Sequence, residues 1–204
     1  MTIDSLIALL LASIFVKATP GPGVLATAAQ SLSFGFPSAL WFVGGIIVGD
    51  LLYILAVVLG LTVIAREFQE LFFVIRLIGG GYLIYLGCKA FISVPTTMLT
   101  TTPSTLQREK VFLNGFLLTL GNPKVILFYA GLMPTFIDLA ALDKTDIVIL
   151  CLVLSMDLGC ILAGYAYGAD RARHLFTSSK AMRRMNQGAG IVLAGSGIAV
   201  ITTS

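Results

Sequence analysis

Four ionisable side chains lie within long apolar stretches of the sequence: Lys17, Asp50, Lys124 and Asp157. A charged group at the centre of a bilayer costs about 2.5–3.5 kcal/mol on insertion scales, so such residues are functional candidates by default. An aspartate placed there can hold a proton or an ammonium group. We therefore expect Asp50 and Asp157 to serve in proton coupling or ammonium binding. Because the four charges sum to zero, structural ion pairing is the alternative interpretation.

Two apolar stretches are interrupted by proline: the first contains TPGPG, from Thr19 to Gly23, and a later one contains GNPK, from Gly121 to Lys124. A proline inside a helix removes a backbone donor and clashes with the carbonyl four residues back. In lipid a freed polar group costs several kcal/mol unless protein or cavity water satisfies it. We therefore expect such breaks to lie beside a cavity. The free backbone amides at the start of the following half-helix could then bind a carboxylate there. The predicted substrate-binding residues are Thr19, Pro20, Gly21, Pro22, Gly23, Asn122, Pro123 and Lys124, with Tyr129 as a secondary contact. Packing kinks are the alternative.

The composition indicates the elements that position these residues. The 204 residues are 57% hydrophobic and 11% charged, whereas soluble domains are about 45–50% apolar and about 25% charged. A cleavable signal peptide is not expected, because the first charged residue is Asp4 and no basic residue precedes the first apolar stretch. Windows of about 20 apolar residues predict an all-α polytopic membrane protein with six transmembrane helices. The six segments are Ile3–Leu32, Ala39–Ala65, Leu71–Ile92, Val111–Ile137, Ile147–Ala169 and Met185–Thr203.

The six segments divide into two similar halves, residues 1–92 and residues 111–204, joined by a Thr/Pro-rich linker at 93–110. Pro20 and Asp50 in the first half correspond to Pro123 and Asp157 in the second. The correspondence extends to the glycines at 79–81 and at 188 and 190. Because each half has three spans, the halves form an inverted repeat with broken first and fourth helices. That architecture is typical of secondary transporters with a substrate site near the bilayer midplane.

The distribution of basic residues predicts the orientation. The loops after segments one, three and five, with their flanks, carry eight Lys and Arg residues, and the opposite side carries three. The positive-inside rule therefore places the linker and the loop at 170–184 in the cytoplasm. Both termini are then expected to be periplasmic or extracellular.

Other chemistry is not indicated. Cys88, Cys151 and Cys160 have no metal-ligand spacing, His174 lies in a basic loop, and the sequence has no phosphate-binding loop. We expect neither an enzyme, a metal, a cofactor nor a nucleic-acid partner. Arg76 is interpreted as an anchor near the outer interface. The pairs Gly45/Gly49 and Gly164/Gly168 permit close helix contact, and small-residue faces make a homodimer plausible.

The sequence closely resembles the LysE-type exporters, in particular the branch of homoserine, threonine and neutral amino-acid effluxers. The resemblance rests on three motifs: ATPGPGVL at 18–25, GGYLIYLG at 80–87 and LTLGNPKVILFYAGLMPTF at 118–136. The resemblance implies a bacterial inner-membrane exporter of amino acids or close derivatives. Its partners would be a small amino-acid substrate, protons and membrane lipid, with proton antiport as the driving force. It also implies that the two breaks are the family's paired central motifs and that a basic residue at Arg76 is common.

Two residues depart from the family pattern. Gly23 stands where the family motif often has Asn, and Lys17 is not expected at its position. Lys17 would either favour an additional negative group on the substrate or neutralise a nearby acid. Two alternatives to an amino-acid exporter remain: a passive channel or non-transporting membrane partner, and an exporter of a cation or other small solute in the same superfamily.

Overall fold

A computed structural model describes residues 1–60 and 105–173, with single helical positions within 77–92 and 187–202. The elements in these ranges are helical, as expected for the predicted all-α class. Arg76, His174 and most of the predicted third segment, linker and sixth segment lie outside the described residues.

The described ranges contain helices of very different length. In chain order they are α1 (Ile3–Ala18), α2 (Pro22–Phe34), α3 (Phe36–Val58), α4 (Thr105–Leu120), α5 (Pro123–Ile126), a π-helical stretch (Leu127–Leu132), α6 (Met133–Phe136), a 3₁₀ turn (Leu139–Ala141) and α7 (Lys144–Arg173). Helices α3 and α7 are long and apolar enough to cross a membrane. Helices α1 and α2 qualify together as one span bent by 55°, and so does α4 with Lys124–Phe136, bent by 60°. The described residues thus contain two candidate spans, or four if each bent pair is one.

Three helices have bounds that differ from those of the predicted membrane segments. Helix α3 ends at Val58 rather than Ala65, because Gly60 adopts a positive φ of 72°, a conformation that commonly closes a helix. Helix α4 begins at Thr105, inside the predicted linker, rather than at Val111. Its first turns contain Gln, Arg, Glu and Lys, which favour a helix although they fall outside an apolar window. For the same reason α7 extends beyond Ile147–Ala169 at both ends.

The first break follows from the positions of its two prolines. Thr19 and Gly21 both precede a proline and both have extended backbone conformations, as expected from the clash between a proline ring and the preceding residue. Pro22 then occupies the first turn of α2, where its missing N–H removes no helical hydrogen bond. The chain therefore leaves α1 after Ala18 and starts a new helix four residues later, at Pro22.

Glycines bring α3 and α4 into direct backbone contact. A Cβ atom on Gly45 would lie 1.9 Å from the Phe112 carbonyl oxygen, and one on Gly115 would lie 2.1 Å from the Phe42 carbonyl oxygen. On Gly49 it would lie 2.8 Å from the Thr119 Cβ. The predicted close contact at the first GxxxG pair is therefore confirmed. The second pair, in α7, has no described atom within 4 Å.

Buried apolar side chains form two clusters along these helices. One cluster includes Ile46 of α3 and Leu158 of α7, and the other includes Ile54 of α3 and Leu154 of α7. Asp50 lies between the two clusters along α3, and Asp157 lies between them along α7. The carboxylates therefore occupy a polar layer between two apolar ones.

Contacts at the helix ends place the connections relative to one another. The Phe36 amide, at the start of α3, donates to Asp170 near the end of α7. Arg108, near the start of α4, packs on the ring of Trp41. At the other end of α7, Asp146 accepts a hydrogen bond from the Met1 ammonium. The α2–α3 turn and the start of α4 therefore lie at one end of the bundle, and Met1 lies at the other.

Candidate functional site

A buried lysine, Lys17, lies between Asp50 and Asp157. Lys17 Nζ is 3.6 Å from Asp50 Oδ2 and 3.6 Å from Asp157 Oδ2. It also donates a hydrogen bond of 3.0 Å to the Leu154 carbonyl oxygen. The lysine side chain is 8% exposed, and the two carboxylates are 2% and 4% exposed. We call these three side chains, Lys17, Asp50 and Asp157, the charged cluster.

Each carboxylate of the charged cluster accepts a second, neutral donor. The Tyr129 hydroxyl donates to Asp50 Oδ2 at 2.5 Å, and the Ser13 hydroxyl donates to Asp157 Oδ2 at 2.6 Å. Hydrogen bonds to ionised groups are among the stronger ones in proteins. With all three members ionised, the cluster carries a net charge of −1, which one proton or one ammonium group would neutralise.

The π-helical stretch positions the aromatic side of the site. It precedes Pro134, which lies in the first turn of α6. Because proline has no N–H, it cannot donate the usual helical hydrogen bond to the carbonyl four residues earlier. The irregular turn buries Phe128 and Tyr129 side by side, with ring centroids 5.0 Å apart. Tyr129 also stacks on Tyr53 at 6.5 Å, and the Tyr53 hydroxyl donates to the Leu120 carbonyl oxygen at the end of α4. This packing fixes the Tyr129 hydroxyl over Asp50.

The two breaks meet in space. Lys124 Nζ donates to the Thr19 carbonyl oxygen at 2.5 Å, and the Tyr165 hydroxyl donates to the preceding carbonyl, that of Ala18. A Cβ atom on Gly21 would lie 3.2 Å from Lys124 Cδ, so the lysine stem packs closely on the first break. The carbonyls of Ala18 and Thr19, freed at the end of α1, are thus satisfied by side chains of α5 and α7.

The helix starts at the two breaks differ in their free donors. Asn122 Oδ1 accepts from the Lys124 amide, and the Asn122 carbonyl accepts from the Val125 amide. At the first break the N-cap is Gly21, which has no side chain to accept a bond. Within residues 1–60 and 105–173, no acceptor bonds the amides of Gly23 and Val24. Only α2 therefore presents unpaired amides, although the sequence predicted the same role for both breaks.

A small cavity connects the breaks with the charged cluster. Its volume is about 50 Å³, and its described lining residues include Gly21, Gly23, Asn122 and Lys124 from the breaks and Lys17 and Asp50 from the cluster. Such a volume holds a few water molecules at about 10–15 Å³ each, whereas small-molecule pockets measure about 300–1,000 Å³. The cavity must therefore widen to admit an amino acid.

Most of the predicted site residues lie together. The cluster, Tyr129, Asn122, Lys124 and the glycines of the first break surround this region. Thr19 and Pro20 are exposed, and Pro123 begins α5. Among residues the structure describes, no three His, Cys, Asp or Glu side chains are grouped as for a metal ion.

Sequence reasoning missed Ser13. The signal was its position four residues before Lys17, which places both side chains on one face of α1. It also missed the π-helical stretch, for which Pro134 was the available signal.

Comparisons with known proteins cover nearly the whole chain. The family model described as "LysE type translocator" matches residues 14–204. A homoserine/homoserine lactone efflux protein of Salmonella typhimurium is 28% identical over 190 residues, which cover 93% of this chain and 92% of that protein. A leucine efflux protein of Salmonella choleraesuis is 27% identical over 189 residues, covering 91% and 89%. An uncharacterized membrane protein of Synechocystis is 28% identical over 201 residues, covering 98% and 97%. No solved structure is significantly similar to the chain.

Proposed function

Since the chain belongs to the LysE type translocator family, we propose that it is a secondary transporter that exports amino acids or close derivatives across the bacterial inner membrane by proton antiport. The match over residues 14–204 confirms the resemblance that the three motifs indicated, and the family consists of transporters rather than enzymes. Two relatives are named as efflux proteins for homoserine and leucine, which supports a small amino acid as the substrate.

The observation that carries the proposal is the charge of the cluster around Lys17. With its three members ionised, the cluster carries one negative charge that no other described residue offsets, in a layer between two apolar clusters, where an unneutralised charge is costly. The site therefore favours binding one positive group. The ammonium of an amino acid is such a group, and Asp50 lines the cavity through which it would arrive.

The first break offers a complementary site for the carboxylate. The amides of Gly23 and Val24 lie at the positive end of the α2 dipole, and Lys124 lines the same cavity. A zwitterion would place its carboxylate against these groups and its ammonium against Asp50. The roles proposed for Thr19, Pro20, Pro22, Asn122 and Pro123 are to keep the two helix breaks open beside the cavity.

Competition between a proton and the ammonium group would couple the two fluxes. A proton that reaches the cluster from outside neutralises its extra charge and lowers its affinity for the ammonium, which is released. After the site opens to the cytoplasm, the proton leaves and a new substrate binds. The single negative charge of the cluster binds either the proton or the substrate ammonium. The site therefore carries substrate outward and returns with a proton, so the two move in opposite directions.

The position of the cluster suits alternating access. Asp157 is 13 residues from the start of α7 and 16 from its end, so it lies near the middle of a helix long enough to span a bilayer. In inverted-repeat transporters such a site lies between halves that rock against each other. The hydrogen bond from Lys124 to Thr19 joins the two proposed halves. The proposed orientation places the residue 93–110 linker in the cytoplasm and both termini outside.

The test is uptake of labelled amino acids into inside-out vesicles that contain the protein, with and without an imposed proton gradient that is acid inside. Export by antiport appears there as gradient-dependent accumulation of one class of amino acid, abolished by a protonophore and absent from vesicles without the protein. Flux that ignores the gradient would favour a passive channel. No uptake of any amino acid would contradict the proposed substrate class and direct the search to cations and other small solutes.

A further inference from the structure

The Lys17 ammonium occupies a complete cation site. Three oxygen atoms surround it: Oδ2 of Asp50, Oδ2 of Asp157 and the carbonyl oxygen of Leu154. The rings of Phe128 and Tyr129 lie 5.8 and 5.9 Å from Nζ on another side. Anionic and carbonyl oxygens with aromatic faces form a set of contacts that would bind any small ammonium group. The chain therefore fills this site with its own side chain.

This occupancy decides between the two roles that the sequence left open for Lys17. A lysine that recruited a negative group from the substrate would direct its ammonium into the cavity without close acidic partners. Instead the ammonium is 3.6 Å from both carboxylates, and the side chain is 8% exposed. Lys17 neutralises acids of this chain and leaves one negative charge for the substrate.

We propose that Lys17 determines specificity by occupying one of two potential cation sites, so that the transporter takes substrates with one ammonium group and rejects diamino acids. The inference rests on the proposed function, because it concerns the substrate class of the same site. A second ammonium on the substrate would meet Lys17 rather than a free carboxylate. Like charges brought together in a desolvated site repel strongly, and the cluster has no further negative charge to offset that repulsion.

The structure also predicts how the selectivity changes. Removing the Lys17 charge makes the net charge of the cluster more negative, from −1 to −2, which suits a substrate with two ammonium groups. Removing one carboxylate as well, in Lys17→Met/Asp157→Asn, returns the net charge to −1. If charge controls selectivity, the single variant accepts diamino acids and the double variant resembles the wild type again. A purely structural role of Lys17 predicts no such recovery.

The experiment is counterflow of labelled leucine or homoserine in proteoliposomes containing the full-length protein, with unlabelled ornithine and citrulline as competitors. Citrulline is the control, because it has the carbon chain of ornithine with an uncharged ureido group in place of the second ammonium. In the wild type we expect ornithine to compete at least about tenfold more weakly than citrulline. In Lys17→Met we expect the ratio to shift about tenfold or more toward ornithine, and in the double variant to return to within about twofold of the wild type.

The outcomes separate the inference from the function on which it rests. Failure of the wild type to exchange any labelled amino acid would overturn the proposed function and the inference with it. Amino-acid exchange in which ornithine competes as well as citrulline would overturn the inference alone. The same holds if the ratio is unchanged in Lys17→Met or not restored in the double variant. Because the wild-type comparison needs no variant, the predicted rejection of diamino acids is tested even if Lys17→Met fails to fold.

Discussion

Lys124, from the second helix break, donates a hydrogen bond of 2.5 Å to the carbonyl oxygen of Thr19 in the first break. The two residues are 105 positions apart in the sequence, yet one break provides the donor and the other provides the acceptor. The first frees a carbonyl because the helix stops at Ala18, and the second provides a cation on the residue after its proline. The lysine therefore joins the two breaks and lines the cavity next to the free amides of α2.

Replacing Lys124 with Met should weaken substrate binding more than it weakens the fold. The variant loses a charge beside the proposed carboxylate site, and hydrogen bonds to charged groups contribute about 1.5–3 kcal/mol. We expect the half-saturating substrate concentration in vesicle uptake to rise about 10- to 100-fold. The control is Lys144→Met, at the exposed start of α7, which should transport like the wild type. Equal effects of the two variants would contradict the proposed role of Lys124.

Asp50→Asn should abolish proton-driven accumulation. With Asp50 neutral, Lys17 and Asp157 cancel each other's charge, and the site has no negative charge left for a proton or an ammonium group. We expect accumulation under an acid-inside gradient to fall at least about tenfold, to the level of vesicles without the protein, while the amount of protein in the membrane is unchanged on an immunoblot. Asp4→Asn, on the exposed first turn of α1, should leave accumulation intact. Full activity of Asp50→Asn would remove Asp50 from the coupling mechanism.

Tyr129→Phe isolates the hydrogen bond that supports Asp50. The phenylalanine keeps the ring packed against Phe128 and Tyr53 but removes the donor to Asp50 Oδ2. We expect the free energy of unfolding to fall by about 1.5–3 kcal/mol, measured by denaturation in mixed detergent micelles. Tyr167→Phe, whose hydroxyl is bonded to the exposed Arg171, should change it by less than about 0.5 kcal/mol. Equal stability of Tyr129→Phe and the wild type would show that the bond contributes nothing net.

The sequence predicted the ingredients of the site better than their arrangement. Charges in apolar stretches and prolines in helices have few physical interpretations in lipid, so Lys17, Asp50, Asp157 and both breaks could be identified from residue type and spacing alone. Which charges pair depends on how the helices cross. That depends on backbone contacts such as those of Gly45 and Gly115, which no local pattern specifies.

Two features of the site were not predicted from local sequence patterns. The free amides of α2 depend on a glycine N-cap, whereas Asn122 caps the second break, a difference that the residue types indicate. The π-helical stretch that sets the Tyr129 hydroxyl over Asp50 follows from Pro134 and needs the tertiary context to be recognised. Apolar windows likewise missed the polar first turn of α4.

The proposed orientation can be tested at the two ends of α7. In a variant with Cys88, Cys151 and Cys160 replaced, single cysteines at Asp143→Cys and Arg171→Cys would flank this helix. If α7 crosses the membrane with its end in the cytoplasm, the first reacts with a membrane-impermeant maleimide added to spheroplasts. The second reacts only in inside-out vesicles. Labelling of both from the same side would contradict a transmembrane α7, and the reverse pattern would contradict the proposed orientation.

The crossing of α3 and α4 should depend on the absence of a side chain at Gly45. In Gly45→Ala the new Cβ would lie 1.9 Å from the Phe112 carbonyl oxygen, which belongs to the backbone, so the helices must separate. Overpacking of this kind costs about 1–3 kcal/mol, and we expect thermal denaturation in detergent to show a loss of that size. Gly164→Ala is the matched control, because no described atom lies within 4 Å of its Cβ position and alanine favours a helix over glycine by about 1 kcal/mol. A Gly45→Ala protein as stable as Gly164→Ala would contradict the close crossing, and with it the geometry that brings Asp50 to Lys17.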